Sequence, residues 1–329
     1  KRHPQTYNYM KIKQSQINPF ENSDSNKRYY TYDYFLKKTY CGKCAKIPLD
    51  AGLSCPNMDG RCGIGGCIYC SSRGSGDFAA SAALPIAEQY EITRARLSEK
   101  WSVERCIPYF QARTNTYAHL DKIKEKFEAA LLCEGVVAMN VATRADCLPD
   151  DVVEYLSELA DRVDLTVELG LQTVHDGIAE LINRGHTFAQ FVEGYEKLRR
   201  ANPNIRICVH IIFGLPNETD EMMLQTAKVV GKLLPDMVKI HLLHVIRDTE
   251  LAKWYESGEY TPLERERYIE LTATALQYFH KDTVIARLTG DGAFEDLLAP
   301  EWSRKKVTVI NDIDKYLYTH NMWQGKLFE

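Results

Sequence analysis

Cys55-Pro-Asn-Met-Asp-Gly-Arg-Cys62-Gly-Ile-Gly-Gly-Cys67-Ile-Tyr-Cys70 ends in a Cys-x-aromatic-Cys turn, and the glycines ahead of Cys67 let the backbone wrap tightly around a bound group. Soft sulfur ligands select iron–sulfur, zinc or cuprous centres. A tetrahedral zinc site asks for a fourth ligand at similar spacing. A cubane cluster held by three cysteines leaves one iron open to a small molecule, so the loop is a candidate catalytic site as well as a staple. Cys55 and Cys62 compete for the place of first ligand.

The loop directly follows a strand-like segment, Ala45–Asp50. Five more such segments follow: Arg105–Gln111, Val136–Thr143, Asp164–Leu171, Ile205–Phe213 and Met237–Val245. Between them lie amphipathic stretches, Ile86–Lys100, Tyr117–Cys133, Asp150–Ala160, Phe188–Arg200 and Glu218–Leu234. Leu148-Pro149-Asp150-Asp151 is a good helix start, with a proline near the first turn and acids facing the helix's positive end. Strands alternating with helices predict parallel βαβ units. The expected fold is α/β, a partial (β/α)6 TIM-like barrel with the cysteine loop at the strands' C-terminal ends, where βα loops converge. Residues 41–262 would form the barrel. Residues 263–329 are expected to pack on it as a mostly helical extension, with helices Leu263–Phe279 and Trp302–His320 and a strand at Thr283–Leu288.

Composition sets the class. The chain has 329 residues, 45% hydrophobic and 26% charged, as in ordinary globular proteins. No apolar run reaches membrane-spanning length and no secretory signal is visible, so no membrane partner is expected. Ten cysteines are then read as reduced thiols or metal ligands in a cytoplasmic protein. Net charge is −4, but residues 1–46 carry ten Lys/Arg against three acids, Glu21, Asp24 and Asp33. The N-terminal arm, residues 1–40, also holds Tyr7, Tyr9, Tyr29, Tyr30, Tyr32, Tyr34 and Tyr40. Cations neutralise phosphates and aromatic faces stack on unpaired bases, which suits a nucleic-acid surface. The plainer reading packs those tyrosines on the main body.

Polar groups at strand ends mark a mouth. Gln111, Arg113 and Asn115 follow the second strand, and Arg144 follows the third. Glu168, Gly170 and Gln172 share one face of the fourth by the alternation of strands. An interior Glu168 is costly unless hydrogen-bonded; it suits the paired hydroxyls of a ribose, or an ion pair with Arg144. Cys208, His210, Ile212 and Gly214 alternate onto one face of the fifth, and Gly214-Leu215-Pro216 turns into a helix. His241 and His244 lie near the mouth on the sixth. Cys41-Gly-Lys-Cys44 is a lone CxxC with no completing pair, read as incidental thiols rather than a second metal site.

Taken in order, these segments make the chain resemble the radical S-adenosylmethionine (radical SAM) proteins. Within them it is similar to the bacterial YhcC/YtqA-type group, related to the radical SAM domain of the elongator catalytic subunit. The resemblance runs from about Tyr29 to Leu263. It is carried by Leu49–Asn57, Gly65–Cys70, Gly74–Phe78, Phe110-Gln111, Thr114–Tyr117, Ala142–Leu148, Glu168–Thr173, Asn183–Thr187, Phe213–Pro216 and Lys239–Val245. It implies that Cys55, Cys67 and Cys70 ligate a [4Fe–4S] cluster whose open iron chelates SAM. Tyr69, Gln111, Asn115, Arg144, Glu168, Gln172, Ile212, Gly214, Leu215 and His244 are the implied SAM-pocket residues, with Glu168 the firmest.

Further implications are a 5′-deoxyadenosyl radical, an electron donor such as flavodoxin or ferredoxin, and tRNA as partner. The implied reaction converts the carboxymethylaminomethyl group on C5 of a wobble uridine to aminomethyl. No single residue is assigned to catalysis, although Arg113, His241 and His244 are candidates for substrate contact. A small metabolite, a protein side chain, or a non-catalytic iron–sulfur RNA-binding role are the alternatives. The ligands follow C-x11-C-x2-C spacing rather than the compact CxxxCxxC. A Gly-Gly-Glu signature is replaced by Phe110-Gln111-Ala112, which leaves the holding of the methionyl amine open. Acetyl-CoA chemistry of the elongator kind is not expected, since few residues follow the barrel.

Overall fold

The computed structural model describes residues 18–74, 76, 78–290 and 295–329. Strands β1 (Ala45–Leu49), β2 (Cys106–Phe110), β3 (Ala138–Thr143), β4 (Asp164–Gln172), β5 (Arg206–Phe213) and β6 (Met237–Leu242) match the six expected segments to within three residues at either end. Three more follow: β7 (Val245–Ile246), β8 (Val284–Arg287) and β9 (Leu297–Ala299). β8 pairs in parallel with β6, so a seven-stranded sheet runs β1-β2-β3-β4-β5-β6-β8. β7 and β9 form a separate antiparallel ribbon. The extension therefore lends the barrel a seventh strand. Among the described residues β1 does not pair with β8, and the sheet is a curled half-barrel.

Helix α1 (Tyr32–Tyr40) precedes β1. Helices α2 (Ile86–Ser98), α3 (Leu120–Leu131), α4 (Asp150–Ala160), α5 (Asp176–Leu181), α6 (Phe188–Ala201) and α7 (Asp220–Lys232) fill the crossovers between β1 and β6. Helices α8 (Glu250–Ser257) and α9 (Arg265–Leu276) lie between β7 and β8, and α10 (Lys306–Thr319) follows β9. Local chemistry sets their ends. Thr187 and Gln190 form a reciprocal capping box on α6. The Thr219 hydroxyl accepts from Met222 N, so α7 starts two residues later than its apolar pattern suggests. The expected helix Trp302–His320 is interrupted, a 3₁₀ turn at Glu301–Arg304 leading into α10.

Strands buried on both faces read as continuous apolar runs, and all five residues of β2 are buried. Pro108 sits within β2 and has no N–H to donate. The consequence is visible in the register: Cys106 bridges Val136, whereas Tyr109 pairs with Asn140, a slip of one residue across the proline. On the β2 side the ladder of β3 accordingly begins at Asn140, and on the β4 side at Ala138, two residues after the expected Val136.

The bottom of the barrel is closed by the segment leading into β1. Phe20 and Tyr30 pack with Cys208, Met237 and Val284, and Leu36 packs with Ile107 and Ala138. The Tyr30 carbonyl accepts from Ile285 N at 2.8 Å, and Tyr40 OH donates to Asp164 at 2.9 Å. Tyr29, Tyr30, Tyr32, Tyr34 and Tyr40 are thus used in packing against the strand bases and their flank, which is the plainer of the two readings. Tyr7 and Tyr9 lie outside the described residues. None of the described helices is long and apolar enough to cross a membrane.

Candidate metal centre and ligand cavity

The cysteine loop leaves the C-terminal end of β1 and is tied down at several points. Ile68 N donates to Ile182 O, and Leu251 N to Ile68 O, at 3.1 and 2.9 Å. Asn57, wholly buried, reaches the Cys67 sulfur at 3.7 Å and also donates to Asn183 O. Asn183 returns a bond to Gly66 O at 2.7 Å. Gly185, at φ +77°, permits this approach, since a Cβ there would lie 2.5 Å from Asn57 Oδ1. Beneath the loop Ile68, Ile178, Ile182, Leu215, Leu243 and Leu251 form an apolar pad.

Cys55, Cys67 and Cys70 face one cavity of about 280 Å³; Cys62 is exposed and is not among its lining residues. Cys41 and Cys44 flank the N-terminal end of β1, the opposite end of the strand from this loop. A hydrogen bond from the Cys70 side chain draws the Cys67 thiol down to about 7 against the effect of burial, with Tyr69, Arg144 and Asn57 in support. Three thiols on one cavity suit a cluster with an open corner. Arg113, at φ +59°, donates to Ser72 O at 2.8 Å and reaches the Met58 sulfur, tying the end of β2 to the loop.

Of the other expected pocket residues, Tyr69, Gln111, Arg144, Glu168, Gln172, Ile212 and His244 line the same cavity. Asn115, Gly214 and Leu215 do not. Asn115 is buried, and its amide donates to the carbonyls of Phe110, Ala112 and Ala142, locking the ends of β2 and β3 together. Gly214, at φ +90°, gives its carbonyl to Tyr260 OH at 2.7 Å, and Leu215 belongs to the apolar pad. These three shape the rim from behind. Gln172 takes a left-handed conformation where β4 slips register against β5. His244 stacks closely on Gly290, where an added Cβ would meet its ring at 2.7 Å.

Glu168 departs furthest from expectation. Its Oε1 accepts from Lys46 at 3.0 Å and Asn140 at 2.7 Å. Its Oε2 accepts from Tyr109 at 2.7 Å, from His210 at 2.9 Å, and from Lys239. Five donors meet a group with about four lone-pair sites, so no acceptor capacity remains for a ribose. The ion pair with Arg144 is absent as well: Arg144 binds Asp146 through two bonds of 2.9 and 2.8 Å and donates to Arg184 O. Burial opposes the Glu168 charge, yet Lys239, Lys46 and His210 hold its pKa well below the usual carboxylate range. Burial, aided by the Lys239 cation, lowers His210 to about 4.

Sequence reasoning passed over several of these groups as site residues. Arg184 is fully buried and clamps Leu171 O, Thr173 O and His186 O, fixing the C-terminal end of β4. Lys46 and Lys239 are charged residues inside apolar strands, and that mismatch was the available signal. Arg287 lies on β8, which the six-strand reading placed in the extension.

Comparison with known proteins follows the same lines. Residues 60–230 match the radical SAM superfamily, and residues 235–319 match the radical SAM C-terminal domain. The uncharacterized protein YtqA of Bacillus subtilis is 45% identical over 314 residues, covering 95% of this chain and 97% of its own. Protein YhcC of Escherichia coli is 33% identical, covering 87% and 91%. A tRNA uridine(34) acetyltransferase of Methanocaldococcus jannaschii is 29% identical over 198 residues, 59% of this chain and 35% of its own. Among solved structures, the archaeal Methanocaldococcus infernus Elp3 shares the fold with a TM-score of 0.64 at 17% identity, over 85% of this chain. This chain spans 64% of that Elp3 chain, under two thirds of its length.

Proposed function

The chain belongs to the radical SAM superfamily, and from that premise we propose that it modifies the C5 side chain of a wobble uridine in tRNA. The specific reaction converts a carboxymethylaminomethyl group to aminomethyl. The observation that carries the tRNA assignment is the likeness, over 198 residues, to a protein described as a tRNA uridine(34) acetyltransferase. Membership of the superfamily implies a [4Fe–4S] cluster and SAM, and the three thiols on the cavity fit the first of these. When bound, the cluster supplies the electron that cleaves SAM reductively and releases a 5′-deoxyadenosyl radical.

The chain's own residues hold and shield that chemistry. Cys55, Cys67 and Cys70 would hold the cluster, and Asn57 fixes the turn around Cys67. Tyr69, Gln111, Arg144, Gln172, Ile212 and His244 line the cavity and would form the walls of a SAM site. Arg184 keeps the end of β4 in place through main-chain bonds. The barrel aims the radical and excludes competing reactions, as proteins do for cofactors that carry hard chemistry. Flavodoxin or ferredoxin is the expected class of electron donor.

Nucleoside analysis of tRNA from a strain lacking this protein tests the assignment. Accumulation of the carboxymethylaminomethyl nucleoside with loss of later forms is the expected result. Unaltered wobble nucleosides, with SAM cleavage intact in the purified enzyme, would move the reaction to a metabolite or a protein side chain.

A further inference from the structure

Inside the barrel, Lys46 from β1 and Lys239 from β6 converge on the single carboxylate of Glu168. Lys239 and Glu168 are 3% and 1% exposed, so this is a charge cluster removed from water. Two ammonium groups on one carboxylate leave an excess of positive charge, which a low-dielectric interior tolerates poorly without a counter-ion. An ammonium has three donors. Lys239 spends one on Glu168 and one on Tyr109 OH at 3.3 Å, and among the described residues no acceptor takes the third. Arg287, which also has a partner of its own, and His241 line the same cavity, and among the described residues the buried His241 Nε2 has no hydrogen-bond partner. That cavity continues upward to Cys55, Cys67 and Cys70.

We propose that Lys239, with Arg287 and His241, forms a subsite for a carboxylate at the end of the substrate's reacting substituent. Glu168 is then a positioning residue: it holds Lys239 in place and leaves a positive surplus facing the cavity. The subsite lies on strand residues deeper than the cysteine loop, a depth that a terminal side-chain group reaches more readily than a nucleic-acid backbone. The inference rests on the radical reading of the cavity and names the chemical feature by which it selects substrate.

The test uses anaerobically cluster-reconstituted protein with SAM present, titrated calorimetrically with four probes. These are 5-carboxymethylaminomethyluridine, 5-aminomethyluridine, N-methylglycine and inorganic phosphate. The carboxylate nucleoside is expected to bind at least tenfold more tightly than its aminomethyl counterpart. Lys239→Met should erase that preference and Lys239→Arg should retain it, with iron content and SAM affinity unchanged in both. Measurable binding of both nucleosides with equal affinity by the native enzyme, or a preference that survives in Lys239→Met, overturns the subsite and leaves the tRNA assignment standing. Phosphate binding that matches N-methylglycine and depends on Lys239 overturns the carboxylate assignment. Lys239-dependent binding of N-methylglycine with no binding of either nucleoside upholds the subsite and counts against uridine as substrate.

Discussion

Glu168 on β4 and Lys239 on β6 form an ion pair in the barrel interior, across the intervening strand β5, with both side chains almost wholly out of water. Removing one partner of such a pair strands the other. Glu168→Gln leaves Lys46 and Lys239 facing each other with no carboxylate between them. The expected cost is about 3–5 kcal/mol of folding stability, read by urea unfolding. The double variant Glu168→Gln with Lys239→Met should recover part of it. A single variant as stable as the native chain would show that the pair contributes nothing.

The three thiols that share the cavity are expected to act as a unit. Replacing Cys55, Cys67 or Cys70 singly by Ala should lower iron after anaerobic reconstitution from about four per chain to a small fraction. Reductive SAM cleavage should fall with it. Cys62→Ala and Cys41→Ala should leave both unchanged, because neither residue lies on the cavity. Iron assay and detection of 5′-deoxyadenosine read the outcome, and loss of iron in Cys62→Ala would redraw the ligand set.

Much of this was open to inspection in the sequence, and the failures share a cause. Strand positions followed from apolar runs because strands buried on both faces need no polar alternation. Cys67 and Cys70 stood out by their own local spacing, whereas Cys55 was set above Cys62 only by the family resemblance. Glu168 was recognised as interior, but its neighbours are 28 to 122 residues away along the chain and come together only when the sheet curls. Asn115 was placed on the ligand for a related reason: a polar residue after a strand can serve the cavity or the backbone behind it. Only the three carbonyls it reaches decide between these. The seventh strand was seen as a segment, yet its place beside β6 depends on tertiary pairing.

Acid should weaken the fold through two histidines. Burial first, then the nearby cations, lower His210 to about 4 and His186 to about 3. Below the ordinary value of about 6.5, the unfolded chain takes up protons that the folded chain refuses. Stability is therefore complete above that value and falls as pH drops toward 4. Each histidine contributes a limiting slope of about 1.4 kcal/mol per pH unit. Urea midpoints at pH 7, 6 and 5 read this, and His186→Gln should flatten the curve; an unchanged slope would refute the account.

Glu218 has the opposite sign. Burial raises its carboxyl to about 8, against the opposing pull of the Thr173 side chain and the Leu215 backbone. The folded chain keeps the proton while the unfolded chain releases it above the usual carboxylate range. Stability is thus present at low pH and lost as pH rises toward 8. Glu218→Gln should gain on the native protein progressively between pH 5 and pH 8, measured by thermal unfolding. A constant difference would place the carboxylate in water.

The backbone adds a fourth kind of test. A Cβ at Gly194 on α6 would run into the Ala145 carbonyl, so Gly194→Ala is expected to cost about 1–3 kcal/mol. Gly177→Ala, where an added methyl meets nothing within 4 Å, serves as the control.

Phe20, Tyr30 and α1 stopper the sheet at the N-terminal ends of its strands. Among the described residues the half-barrel therefore opens in two directions, at the rim that carries the three thiols and along the flank where β1 and β8 stay unpaired.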